Sequence, residues 1–309
     1  MVAKTLMIQG TASSVGKSVL VTALCRIFKQ DGFRVAPFKS QNMTLNLFVT
    51  RGGEEIGRAQ AVQAEAAGIE PGVDMNPILI KPQANSRSQV VVLGKPAMTL
   101  TAGEYSRHTA ELLPVVKESL ARLRSAYEIV VIEGAGSPAE VNIKENEIAN
   151  MRIARLVGAP VLLVGDIDKG GVFASLMGTL ALLDESERSS IKGFIINKFR
   201  GDIAWLQSGL DYLEEHTSKP VIGVIPYYHH IFIPEEDSIS GRNGVRAESG
   251  LFDNTNFGHT FLSKLRQFKG LSLILRPPVP SQQQHYDNLA DIIRRSLNLK
   301  LVYQICGLG

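Results

Sequence analysis

The nine residues Gly10-Thr11-Ala12-Ser13-Ser14-Val15-Gly16-Lys17-Ser18 constrain this chain more than any other stretch. An apolar run from Thr5 to Ile8 leads into them, and the helix-like Val19 to Lys29 follows. Strand, glycine-bounded loop and helix in that order make a phosphate-binding loop. Backbone N–H groups and a helix N-terminus cradle phosphate oxygens, Lys17 neutralises their charge, and the Ser18 hydroxyl can hold Mg²⁺. Five residues separate the two glycines, where the usual pattern has four. Gly10, Thr11, Val15, Gly16, Lys17, Ser18 and Val19 are therefore the expected nucleotide contacts.

Apolar strand-like runs alternate with helix-like segments through the first 226 residues, which predicts a parallel sheet covered on both faces. The expected strands are 5–9, 34–38, 78–81, 89–93, 129–133, 161–165, 194–197 and 221–225. Helices are expected over 56–67, 111–124, 147–156, 173–183 and 203–216, several with apolar residues at the i, i+3, i+4 spacing of one buried face. The fold class is α/β: a mostly parallel, doubly wound sheet of P-loop NTPase type, with a short C-terminal tail.

The character changes after Pro226. Residues 227–243 are rich in His, Pro, Glu, Asp, Ser and Gly and read as an exposed linker. Beyond it, 256–268 and 288–297 can each form a helix, too little to bury a core of their own, so the tail is either an appendage on the main domain or partly disordered. The tail is also basic. Residues 242–309 hold nine Lys and Arg against four Asp and Glu, leaving 24 against 26 in residues 1–241. These basic residues are scattered without interleaved aromatics, which argues against a nucleic-acid partner. No window offers a membrane span, and the N-terminus runs straight into a strand, so a cytoplasmic chain without a membrane partner is expected. Cys25 and Cys306 form neither a disulfide framework nor a metal motif, and His229 and His230 lack accompanying ligands.

In an open parallel sheet ligands bind beyond the C-terminal strand ends, so polar residues there carry the most weight. Lys39 follows the second strand and can reach the same phosphates as Lys17, while the amides of Gln41 and Asn42 suit a substrate carboxylate or amide. The strand 129–133 ends in Glu133, placed to hold Mg²⁺, and Gly134-Ala135-Gly136-Ser137 leaves room for phosphate or substrate beside it. Asp166 and Asp168 follow another strand. Either can bind Mg²⁺ or orient the transferring phosphate, and one can equally be a helix cap. Asn197 can read an adenine edge or instead tie down a loop.

Taken in order, these blocks resemble cobyric acid synthase, the glutamine-dependent amidase family of cobalamin biosynthesis. The glycine spacing is similar to that of dethiobiotin synthetase and its carboxylate-activating relatives. The segments Glu133-Gly134-Ala135-Gly136-Ser137-Pro138-Ala139-Glu140 and Asp166-Ile167-Asp168-Lys169-Gly170-Gly171-Val172-Phe173-Ala174 separate this resemblance from generic phosphate-loop proteins, including partition ATPases. It implies an ATP- and Mg²⁺-dependent ligase. Such an enzyme amidates the b, d, e and g carboxylates of adenosylcobyrinic acid a,c-diamide through an acyl phosphate. Implied catalytic residues are Lys17, Lys39 and Asp166; implied metal ligands are Ser18, Glu133 and Asp166; implied substrate contacts are Gln41, Asn42, Asn46, Ser137 and Asp168; Asn197 joins the nucleotide set.

The family also carries a glutaminase domain with a nucleophilic cysteine, and this sequence matches only its end. Ser249-Gly250-Leu251-Phe252-Asp253-Asn254 resembles a family segment in which a catalytic His stands where this chain has Ser249. The expected organisation is a synthetase domain over 1–226, a linker and deletion junction over 227–255, and a glutaminase remnant over 256–309. Ammonia would then come from solution or a separate glutaminase, and a homo-oligomer is one way to cover the face left by the lost domain. Cys306 is a poor replacement nucleophile, since only three residues follow it. The alternative reading is a catalytically impaired nucleotide-binding remnant or interaction module of the same family.

Overall fold

The computed structural model describes residues 2–228 and 281–308. The site-forming core is a six-stranded sheet in the order β12-β11-β10-β1-β9-β2, parallel throughout. Its strands are β1 (Lys4–Gly10), β2 (Val35–Phe38), β9 (Ile129–Glu133), β10 (Val161–Asp166), β11 (Ile191–Phe199) and β12 (Val221–Pro226). Their near-continuous apolar runs belong to a sheet buried on both faces. Alternation sends Met7, Val130, Ile132 and Leu163 into one apolar cluster. Leu6, Ile8, Val131, Leu162 and Val164 enter the other.

Helices cover both faces. The first cluster is closed by α3 (Ala102–Ala126), α4 (Met151–Val157), α5 (Val172–Leu182) and α7 (Gln207–Thr217), with the short α6 (Glu185–Ser190) against α4 and β11. The second is closed by α1 (Lys17–Gln30) and α2 (Arg58–Ala67), together with two helices of the tail, α8 (Gln282–Ser296) and α9 (Leu299–Cys306). Helix α3 begins nine residues before the predicted start at 111, because Thr101 and Glu104 form a reciprocal capping box at its N-terminus. That Thr-x-x-Glu signal is plain in the sequence.

The expected strands 78–81 and 89–93 do not join the parallel sheet. They are β6 (Ile78–Pro82) and β7 (Arg87–Val92) of a separate four-stranded sheet, ordered β3-β6-β7-β8, with β3 at Gln41–Met43 and β8 at Lys95–Thr101. The reason is local. Leu93 and Gly94 both have positive φ, 47° and 76°, the two-residue turn that folds β7 back onto β8 as a hairpin. A further hairpin pairs β4 (Leu47–Val49) with β5 (Glu55–Gly57). Lys39 and Ser40 carry the chain from β2 in one sheet to β3 in the other, and α3 returns it from β8 to β9.

The last helices extend the main core. Tyr286, Leu289, Ile293, Leu297 and Val302 are buried with α1 residues Leu24 and Phe28. Arg26 of α1 donates from Nε to Asp287 at 2.7 Å, and Arg294 meets Asp31 at 2.6 Å. Tyr303 packs edge-on against Phe28, with 5.6 Å between ring centroids. The tail is thus an appendage, the first of the two expected options, over its described part. The helix expected over 256–268, Ser249, His229, His230 and nearly all of the 227–255 junction lie outside the described residues. Among the described residues no helix is long and apolar enough to cross a membrane.

Candidate functional site

The phosphate loop is shaped by steric demands that only glycine meets. Gly16, the N-cap of α1, has φ 101°, and a Cβ there would lie 2.1 Å from Asn197 Nδ2. A Cβ at Gly10 would meet Val15 Cγ2 at 2.5 Å. No acidic residue occupies the first turn of α1, so the positive end of that helix is left for an anion. Lys17 is buried and folds over the loop, donating from Nζ to Ala12 O at 2.9 Å and to Gly136 O at 3.1 Å. The second bond ties the phosphate loop to the glycine-rich segment after β9.

Glu133 ends β9 and is fully buried. Its Oε1 accepts from Ser18 Oγ at 2.8 Å and from Lys39 Nζ at 3.0 Å, and its Oε2 accepts from Gln63 Nε2. Buried charge is tolerated only when paired and hydrogen-bonded, and this carboxylate is both. The Ser18–Glu133 pair fits a hard cation. Two cis oxygens of a Mg²⁺ octahedron, each about 2.0–2.1 Å from the ion, stand about 3 Å apart.

Asp166 does not share this position. Ile8 pairs with Glu133 on one side of β1, and Gly10 pairs with Val164 on the other. Asp166 therefore lies four residues further along the sheet and two strands across, roughly 13 Å by 10 Å at ordinary strand spacings. Side chains cannot span that gap to one ion, which corrects the expected Ser18, Glu133 and Asp166 triad. Asp166 instead meets Lys198 Nζ at 3.0 Å and accepts the Asp168 N–H at 2.9 Å. Nor is it a helix cap, since α5 is capped by Gly171. Among the described residues no group of three His, Cys, Asp or Glu is placed to hold a metal.

A cavity of about 450 Å³ opens beside Lys39, between the second sheet, the start of α3 and the segment that follows β9. Gln41, Asn42 and Ser137 line it, with Met43, Val90, Leu100 and Tyr105 among its apolar walls. Gln41 Oε1 accepts from Tyr105 OH at 2.6 Å, and Asn42 Nδ2 donates to Gln60 Oε1 at 2.8 Å, so both amides are held in place. Asn46 and Asp168, expected as substrate contacts, are not in this lining. Asn46 is exposed beside β4, where its N–H donates to Thr44 Oγ1. Asp168 accepts from Arg200 Nε at 2.8 Å. Asn197 takes the loop-fixing option, donating to Val15 O at 2.8 Å and accepting the Lys198 N–H at 2.9 Å.

Three positioning residues escape a motif reading. Gln63 holds Glu133 from α2. Its signal was present, because Gln60 and Gln63 stand three apart in a helix otherwise rich in alanine, polar residues on a face that must be buried. Asn150 brackets the segment after Glu133, accepting from Ala135 N at 3.1 Å and donating to Ala135 O at 2.6 Å. Lys198 Nζ donates to Ser14 O at 2.7 Å.

Both cysteines are free and buried. Burial pushes the Cys306 thiol up to about 12. Burial first, and the Glu133 charge second, raise that of Cys25 still further. A thiol reacts as the thiolate, so both react slowly with an aromatic disulfide reagent in the native protein and promptly in denaturant. Thiol titration with such a reagent, in native buffer and in denaturant, checks this; prompt native labelling of Cys306 would contradict it.

Comparison with known proteins agrees with the geometry. The family described as "CobQ/CobB/MinD/ParA nucleotide binding domain" matches residues 6–238. The chain is 63% identical to the cobyric acid synthase of Dehalococcoides mccartyi (strain CBDB1) over 237 residues, 77% of this chain and 47% of that protein. It is 54% identical to that of Pelotomaculum thermopropionicum over 272 residues, 88% and 52% of the two chains. With that of Desulforamulus reducens, identity is 55% over 280 residues, 89% and 54%. The chain thus spans about half the length of the curated relatives it matches. The family match takes in the phosphate loop, Lys39, Glu133 and Asn197, and this chain belongs to the CobQ/CobB/MinD/ParA nucleotide-binding domain family.

Proposed function

We propose that this chain activates side-chain carboxylates of a corrinoid with ATP and converts them to amides, the b, d, e and g carboxylates of adenosylcobyrinic acid a,c-diamide being the substrate groups. The observation that carries the reading is the cavity that has Lys39 and Ser13 in its lining and extends along the second sheet, so that a carboxylate arm entering it ends beside the phosphate loop. Exposed Met43 and Ile143 at its lining offer apolar contact to a macrocycle that stays outside. Sequence similarity to cobyric acid synthases supports the substrate class.

In the proposed reaction a carboxylate oxygen attacks the γ-phosphorus, the bond to ADP breaks, and an acyl phosphate forms. Neutral ammonia then attacks the acyl carbon, phosphate leaves with the C–O bonding pair, and the nitrogen loses a proton to give the amide. Lys17 and Lys39 offset the charge spread over the transferring phosphoryl group. Ser18 and Glu133 would hold Mg²⁺, which supplies positive charge to the phosphates when bound. Gln63 and Asn150 keep Glu133 and the following loop in place. Ammonia is drawn from solution or from a separate glutaminase.

The test is phosphate release and product mass with purified protein, MgATP and the corrinoid diamide. Amide formed from ammonium salt, and none from glutamine, is the expected result. Nucleotide binding without corrinoid-dependent phosphate release would replace this reading with that of a catalytically impaired remnant.

A further inference from the structure

Tyr105 and Gln41 both line the cavity beside Lys39, and the bond between them has a direction. Tyr105 OH donates to Gln41 Oε1 at 2.6 Å. Burial pushes the phenol up, away from ionisation, so the hydroxyl keeps the proton that it donates. A side-chain amide has an acceptor oxygen at one end and two N–H donors at the other. With Oε1 held by Tyr105, the end of Gln41 left for a ligand is Nε2.

Both partners stand on regular elements. Tyr105 lies in the first turn of α3, whose start is locked by the Thr101–Glu104 capping box. Gln41 opens β3 and pairs with Ile78 of β6. Lys39 is two residues earlier, so the two Cα atoms are no more than about 7 Å apart. An ammonium group, like an amide nitrogen, donates and does not accept. A carboxylate arm that reaches this pair offers only acceptor oxygens and suits both. The carboxamide made from it presents an N–H₂ group where an oxygen had been, and that group faces donors. A donor left without an acceptor in a closed site loses about tenfold or more in affinity.

We propose that Tyr105 is a positioning residue for substrate selection: by holding the Gln41 amide with Nε2 toward the cavity, it makes the site prefer a carboxylate arm and reject the carboxamide that replaces it. This rests on the corrinoid reading given above and goes beyond it, naming what separates an arm still to be amidated from a finished one. The preference comes as much from mismatch with the product as from contact with the substrate. Lys39 favours a carboxylate by charge whichever way Gln41 points. Without the Tyr105 hydroxyl, however, the Gln41 amide can turn over and accept from the product through Oε1.

Equilibrium titration of the full chain, without nucleotide so that no turnover occurs, compares the corrinoid a,c-diamide with its fully amidated product. The unmodified protein is expected to bind the diamide more tightly. In Tyr105→Phe, which keeps the ring in the cavity wall, the ratio of the two dissociation constants is expected to fall by about fivefold or more. The same substitution in a Gln41→Met background, which has no amide to orient, is expected to leave the ratio unchanged. A role in packing alone would weaken both ligands by one factor. Such an equal change, no change, or the same fall in the Gln41→Met background would overturn the proposal. So would equal or tighter binding of the product by the unmodified protein, a result that needs no variant to fold. Failure of the unmodified protein to bind either corrinoid would instead overturn the corrinoid reading, and this proposal with it.

Discussion

Lys17→Ala is expected to reduce corrinoid-dependent phosphate release by at least about 10²–10³-fold while the protein still unfolds cooperatively near its original midpoint. The ammonium group reaches Ala12 O and Gly136 O, two backbone acceptors on the segments that flank the phosphate position. Truncation removes a positive charge that acts where negative charge accumulates in the transition state, and such groups contribute several kcal/mol because they need no reorganisation during reaction. The stability effect is smaller, since the two carbonyls lose a donor at a loop edge that water can reach. Steady-state rates with saturating ammonium, beside a thermal melt of the same sample, separate the two effects. A rate within a few-fold of the unmodified protein would show that Lys17 braces the loop and does not act on phosphate.

The second large effect is on stability. Lys39 and Glu133 are 2% and 0% exposed, with 3.0 Å between Nζ and Oε1. Removing one member, as in Lys39→Met or Glu133→Leu, takes the opposite charge at 3.0 Å from a buried group and is expected to destabilise by about 3–5 kcal/mol. In a domain of this size each kcal/mol lowers the midpoint by about 2–4 °C. The double variant Lys39→Met/Glu133→Leu is expected to recover a large part of the loss, since two apolar groups of similar volume bring no stranded charge. A double-mutant cycle by denaturant unfolding measures this. Additive losses would mean that Ser18 and Gln63, and not Lys39, satisfy the carboxylate. Both single variants should also lose phosphate release, because Lys39 lines the cavity of about 450 Å³ together with Ser13 of the phosphate loop.

The parts of the site that were legible in sequence are those set by residues close in the chain. Gly10 to Ser18 specifies a strand, a tight loop and a helix start because only glycine tolerates the φ of 101° and the 2.1 Å approach at Gly16. Lys39 and Glu133 stood out as polar residues at the ends of apolar strands, and their side chains do meet. The second sheet was misplaced because runs such as Ile78–Leu79–Ile80 have the same apolar pattern in a buried parallel strand and in a hairpin. The turns at Asn85-Ser86 and Leu93-Gly94 distinguish the two.

Sequence alone thus determined the phosphate loop, the α/β class and the polar residues at strand ends, because steric and alternation rules act over a few residues. Tertiary structure decided which of those residues work together. Strand order and register separated Asp166 from Glu133, although both end strands with a carboxylate. Long-range packing brought Gln63 to Glu133, and set α8 beside the loop across most of the chain's length. Such meetings depend on the register of neighbouring strands and on which apolar faces bury each other, and no local pattern encodes either.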